Sequence, residues 1–147
     1  MLEIKPIQDK SEQKMLCDLC KTVYRPSALA YSAYDNGEPV GICQFRIKND
    51  NGYLYDLCNT DGVDDLEALI IMGRATLNFI DLCGVHTAYF EGDRTRAALA
   101  VGFREKEGVL FAVAEHFGVS FVYHSRNGKL VSQGVKRDDM VEMSVCE

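Results

Sequence analysis

Apolar residues recur at helical spacing over one long stretch of this chain and at strand spacing on either side of it. Between Asn59 and Val85, Leu66, Leu69, Ile70, Gly73, Leu77 and Ile80 fall on one helical face, and Ile71, Met72, Ala75, Phe79 and Leu82 cover most of the rest. The pattern predicts a helix over Asp64–Cys83 that is buried nearly all round. Asp64 stands three residues before Glu67, in capping-box spacing, and Gly84 is the stop, since glycine takes the left-handed backbone without a Cβ clash. Strand-like runs precede the helix at Tyr53–Cys58 and follow it at Thr87–Phe90. They predict a strand, helix, strand unit with a right-handed crossover, hence two parallel strands beside the helix.

The flanking segments alternate more simply. Leu2–Ile7 predicts a short first strand. Asp9 and Glu12 predict a helix start, with Leu16, Leu19, Cys20 and Val23 as its apolar face and Pro26 as its end. Ala28–Tyr34 and Val40–Ile47 flank Asp35-Asn36-Gly37-Glu38, and Asn-Gly between such runs is a strong hairpin signal. Asn49-Asp50-Asn51-Gly52 leads on to Tyr53, so three strands form an antiparallel meander. After Phe90, a short helix is expected from Asp93 as N-cap to Gly102 as stop, and Glu107-Gly108 then turns into Val109–Val113. Farther on, Ser120–His124 and Lys129–Gln133 flank Arg126-Asn127-Gly128, another hairpin signal. A lone hairpin is marginal in water, so residues 114–147 are expected as an extension packed on the domain or on a second copy, as in a homodimer.

With 147 residues, 47% of them hydrophobic, the chain suffices for one domain with one core. A formal net charge of -6 argues against nucleic acid as a partner, because phosphate neutralisation needs clustered Lys and Arg. No apolar run reaches the length of a membrane span and no signal-peptide layout opens the chain, so the expectation is a cytoplasmic protein with no membrane partner. Six cysteines are present, and the first five, Cys17, Cys20, Cys43, Cys58 and Cys83, sit in apolar elements, which suits reduced thiols better than a disulfide framework. Cys17 and Cys20 have C-x-x-C spacing but lie within a helix, without a second ligand pair. His86, His116 and His124 show no metal-ligand spacing, so no metal is expected.

The order strand, helix, meander, long buried helix, strand, short helix, strand resembles the GNAT acyltransferase superfamily across roughly residues 2–113. The local match is best at Ala98-Leu99-Ala100-Val101-Gly102-Phe103, which resembles the family's aromatic-x-x-x-Gly-Phe stretch. The resemblance implies an α/β (α+β) fold with a mixed, mainly antiparallel sheet, a long central buried helix and, here, a C-terminal hairpin extension. It also implies a GNAT-like domain over 1–113 whose fourth and fifth strands splay apart. The pantetheine arm of acyl-CoA would then pair with the backbone of Leu57, Cys58 and Asn59, and the pyrophosphate would meet the turn at Gly62 and Val63 and the helix N-terminus behind it.

Departures from the family pattern weaken that cofactor site. Where the family has a glycine-rich turn, this chain has Asp61, Asp64, Asp65 and Glu67 around one glycine, and carboxylates there occupy N–H groups and repel phosphate. Binding of CoA or acetyl-CoA is therefore expected to be weak. Glu91 stands where the family often has Asn, and Ala98 where it often has a tyrosine that protonates the leaving thiolate. Glu91 is the candidate general base, useful only if burial raises its pKa. Arg94 and Arg96, expected in the first turn of the short helix, oppose its dipole and are candidates for a CoA phosphate. Arg74, within the long helix, is expected to pair with Asp81 or Glu67 or to snorkel outward. Three functions follow: an acyl-CoA-dependent N-acetyltransferase acting on a small-molecule or other amine, a non-catalytic GNAT-fold binding or assembly protein, and an unrelated α/β ligand-binding domain.

Overall fold

The computed structural model describes residues 1–113 in full and, beyond them, the backbone of two strands, Val122–His124 and Leu130–Gln133. The order is β1 Leu2–Pro6, α1 Lys10–Cys20, β2 Leu29–Asp35, β3 Glu38–Lys48, β4 Asn51–Leu54, β5 Cys58–Asn59, α2 Leu66–Leu82, β6 Thr87–Phe90, α3 Arg96–Val101, β7 Arg104–Lys106, β8 Val109–Val113, β9 Val122–His124 and β10 Leu130–Gln133. One mixed sheet runs β1-β2-β3-β4-β6-β8-β7, with β5 paired to β3 off that path. All its pairs are antiparallel except β4 with β6, the two strands joined by α2. β9 and β10 pair antiparallel with each other; any packing of residues 114–147 lies outside the described residues.

The tight turns follow their residues. Asn36 and Gly37 both have positive φ (53° and 82°), as a two-residue hairpin needs, and so do Glu107 and Gly108. Between β3 and β4 the left-handed pair is Asn49-Asp50, which frees Gly52 for another purpose. A Cβ on Gly52 would stand 2.8 Å from Ile80, so the glycine lets α2 lie close on the sheet.

The long helix starts and stops within two residues of expectation. Its N-cap is Asp65, whose carboxylate accepts from the Ala68 N–H at 3.1 Å, and not Asp64, which is exposed. At the other end Gly84 (φ 87°) reverses the chain, and the Val85 N–H returns to the Ile80 carbonyl at 3.3 Å. Buried residues occupy most of its circumference, and Tyr31, Phe45 and Phe79 meet ring to ring between sheet and helix at 5.7 to 6.5 Å. Helix α1 covers the other face of the same strands, where Leu16 and Cys17 pack with Ala30 and Ile42.

Three sequence expectations need correction. The inward face of α1 is Gln13, Leu16 and Cys17, whereas Leu19 and Val23 are exposed. That helix ends at Lys21 in the left-handed conformation, well before Pro26, with the Lys21 and Thr22 N–H groups closing back on Asp18 and Cys17. α3 begins after Thr95, whose hydroxyl accepts from the Ala98 N–H, and not after Asp93.

Gly73 is where α2 and α3 touch: a Cβ there would lie 2.6 Å from Val101 Cγ2 and 3.3 Å from Leu57 Cδ2. Gly73→Ala is expected to cost about 1–2 kcal/mol by overpacking, despite alanine's better helix propensity. Denaturant unfolding checks it, and Val101→Ala in the same chain should recover most of the loss.

Candidate functional site

Strand β4 does not run unbroken into β5. Phe45 on β3 opposes Leu54, and Ile42 opposes Cys58, so three steps along β3 meet four on the other strand. One residue is extra, and the chain bulges over residues 55–57. The Tyr55 N–H still reaches the Gln44 carbonyl at 2.8 Å, but the next backbone partner of Gln44 is replaced by a side chain. Asp56 Oδ1 accepts from the Gln44 N–H at 2.6 Å, and Oδ2 accepts from Gln44 Nε2 at 2.7 Å and Thr22 Oγ1 at 3.1 Å. Gln44 is in turn held by Gln13 Nε2 and the Arg25 N–H, both donating to its Oε1 at 2.9 Å. Burial raises the pKa of Asp56, an effect that the hydrogen bonds from Gln44 and Thr22 offset only in part.

The bulge separates two strands that begin side by side. β4 and β6 pair in parallel from Gly52 and Ala88 to Leu54 and Phe90, and the last rung is the Glu91 N–H to the Leu54 carbonyl at 2.8 Å. Past that point β5 pairs with β3 alone. Because the Thr60 N–H bonds to the Val40 carbonyl, the alternation of an antiparallel ladder turns the N–H and C=O of Leu57 and Asn59 away from β3, toward the gap. Gly41 makes this possible, since a Cβ on it would stand 2.6 Å from the Cys58 carbonyl oxygen.

Beyond β5 the chain turns into α2. Thr60 to Val63 form a turn closed by the Val63 N–H to the Thr60 carbonyl, with Gly62 at φ 84°; Gly62 and Val63 are exposed. The Asn59 side chain clamps the helix start by accepting from the Asp65 N–H at 3.0 Å and donating to the Asp65 and Val40 carbonyls. An anion at this helix end finds the Ala68 N–H already taken by Asp65, with Asp61, Asp64 and Glu67 exposed around it. Asp61 also pairs with Lys21 at 3.2 Å.

No family model and no curated protein matches the sequence. Solved structures do resemble the fold. The PaiA N-acetyltransferase of Thermoplasma acidophilum, in complex with coenzyme A, superposes with a TM-score of 0.56 at 9% identity, over 76% of this chain and 96% of that one. A solution structure of YhhK from E. coli bound to coenzyme A gives 0.52 at 17% identity, over 77% of this chain and 98% of that one. The fold is that of the GNAT N-acetyltransferases. At these identities the likeness is one of backbone, and the side chains must be judged here.

On this GNAT fold the expected site residues do not all converge. Leu57, Cys58 and Asn59 line the gap between β5 and β6, with Glu91 and Gly92 opposite; a Cβ on Gly92 would come within 3.5 Å of the Tyr55 carbonyl. Glu91 is exposed, so the burial expected of a general base is absent. Arg94 precedes α3 and pairs with Glu105 at 3.2 Å, so only Arg96 stands in the first turn of that helix, where it is exposed. The stretch that resembles the family motif serves packing. Gly102 caps α3, the Phe103 N–H returns to the Ala98 carbonyl, and the Phe103 ring enters the core 5.4 Å from Phe90.

Arg74 forms neither expected ion pair; it is exposed and donates to the Ala100 carbonyl at 3.4 Å, while Asp81 binds His86 Nδ1 at 2.7 Å. Cys17, Cys20, Cys43 and Cys58 are free thiols, as expected, but Cys83, at the end of α2, is disulfide-bonded. Burial pushes the Cys17 thiol up to about 12, and Cys58 is raised first by its hydrogen bond with Cys20 and then by burial, so neither supplies a thiolate nucleophile at neutral pH. Sequence reasoning missed the Asp56 cluster. Its signal was a strand-averse aspartate inside the apolar run Tyr53–Cys58.

Proposed function

We propose that this protein is an acyl-CoA-dependent N-acyltransferase acting on an amine, with a degenerate pyrophosphate turn. The observation that carries the reading is the break in the sheet at the Asp56 bulge, past which β5 pairs with β3 and not with β6. A pantetheine arm, with two amides along an extended chain, has the groups to pair there, and acyl-CoA would supply the thioester. The chain's own part is to hold that arm beside an incoming amine, which is chiefly positioning. Glu91, at the mouth of the gap, takes the released proton. Because it is exposed, Glu91→Gln should slow turnover only about tenfold, at the bottom of the range for general bases or below it.

The helix start fits the cofactor poorly, and this favours a second reading, a GNAT-fold binding or assembly protein that no longer holds CoA. Calorimetric titration with CoA separates the two. Under the enzyme reading the dissociation constant lies in about the high micromolar to millimolar range, and replacing both Asp64 and Asp65 with glycine tightens it, since free N–H donors then face the pyrophosphate. Micromolar binding by the unaltered chain would move the phosphates to Arg94 and Arg96. Absence of binding in both proteins, together with no acetyl transfer to a panel of amines, would leave the assembly reading.

A further inference from the structure

The sheet carries a row of side chains that no sequence pattern connects. Arg46 on β3 opposes Tyr53 on β4, Tyr53 opposes Tyr89 on β6, Tyr89 opposes Phe111 on β8, and Phe111 opposes Arg104 on β7. Directly opposed residues share a face, so the row reads Arg, Tyr, Tyr, Phe, Arg across the full width of five strands. It lies opposite the face packed on α2, to which the buried Leu54, Ala88, Phe90, Leu110 and Ala112 belong. Tyr53 and Tyr89 stack with centroids 5.7 Å apart and keep part of their surface open, as does Phe111, while both arginines are exposed. Lys48 on β3 and Lys106 on β7, two residues along their strands, add exposed charge on the same face, and Glu91, two residues past Tyr89, sets an exposed carboxylate among them.

We infer that this face is a docking surface for single-stranded nucleic acid. Rings flanked by cations offer unstacked bases a π-surface and phosphates a counter-charge, the combination that holds single strands without reading sequence. A duplex hides the faces of its bases and gains only the charges. A second copy of the chain is disfavoured, because two-fold pairing would set Arg46, Lys48, Arg104 and Lys106 against themselves. The formal charge of -6 is no obstacle, since screening limits what a bound strand feels to charges within about 10 Å. This inference is independent of the acyltransferase reading, and neither falls with the other.

The test is fluorescence anisotropy of a labelled oligouridylate with the full chain. Tyrosine emission serves as a second readout, because the chain has no tryptophan. A dissociation constant of about 10 µM at low salt is expected, weakening about fifty-fold between about 50 and 200 mM salt if the four cations each neutralise a phosphate. Arg46→Glu with Arg104→Glu should abolish binding, and Tyr89→Leu should weaken it about tenfold while leaving the melting temperature and any CoA affinity unchanged. No binding at low salt overturns the proposal, as does binding that the row's variants leave untouched. Competition by polyglutamate as strong as by unlabelled oligouridylate also overturns it, in favour of an acidic polypeptide partner.

Discussion

Replacing Asp56 with alanine is expected to destabilise the protein by about 3 kcal/mol and to remove whatever affinity it has for CoA. The carboxylate is the acceptor for the Gln44 N–H, the Gln44 side-chain amide and the Thr22 hydroxyl. Removing it strands buried donors, and each costs on the order of 1–3 kcal/mol, not additively. The backbone can satisfy the Gln44 N–H again only by drawing residues 55–57 into register with β3, which shifts Leu57 and Asn59 and closes the gap. Chemical denaturation measures the first effect; titration with CoA well below the melting temperature measures the second.

A pH series on the same pair of proteins isolates the charge. Burial sets the folded pKa of Asp56 above its unfolded value, so between those two values the native state binds more protons than the unfolded one. Asp56 then contributes stability that is full below the ordinary carboxylate range and is lost as pH rises through its folded pKa. The cost of Asp56→Ala should accordingly be larger on the acid side of that folded pKa than at neutral pH. A cost that shrinks on acidification would mean that the hydrogen bonds outweigh burial.

Gly41→Ala should be nearly as damaging, at about 3 kcal/mol, or about 10 °C in melting temperature. The methyl would meet the Cys58 carbonyl oxygen at 2.6 Å and Met72 Cε at 3.4 Å. The methionine can move, but the carbonyl belongs to the strand ladder, so β5 must lift from β3. Differential scanning calorimetry checks the stability, and loss of CoA binding beyond what unfolding explains would tie the strand edge to the ligand. A variant that melts with the wild type would show that β5 is held loosely and that the gap is not a built feature.

The kinds and order of the elements were legible in the chain because each rests on local physics. Apolar spacing identified α2, and the glycines at 37, 84, 102 and 108 took the left-handed conformations expected of stops and turns. Parallel pairing of β4 with β6 followed from the helix between them. Helix starts were legible only to within two residues: Asp64 competed with Asp65, and Asp93 with Thr95. Several residues nearby could accept the same N–H, and the backbone angle that chooses among them is set by what the helix packs on.

What decided the site came from contacts between segments far apart in the chain. Asp56 opens the sheet because Gln44, twelve residues away, donates its backbone N–H to the Asp56 side chain, and Gln44 is held there by Gln13 and the loop after α1. Arg94 finds Glu105 on the far side of α3, Arg74 finds the end of α3, and Glu91 is exposed, outcomes that depend on where neighbouring elements end. By itself the sequence determined which residues could be strand, helix, turn and core, because propensity and burial act over a few residues. Only the tertiary structure decided which backbone stays unpaired beside the bulge and which charges gather on one face. Hydrogen-bond register and side-chain direction are set across strands that the order of residues does not place side by side.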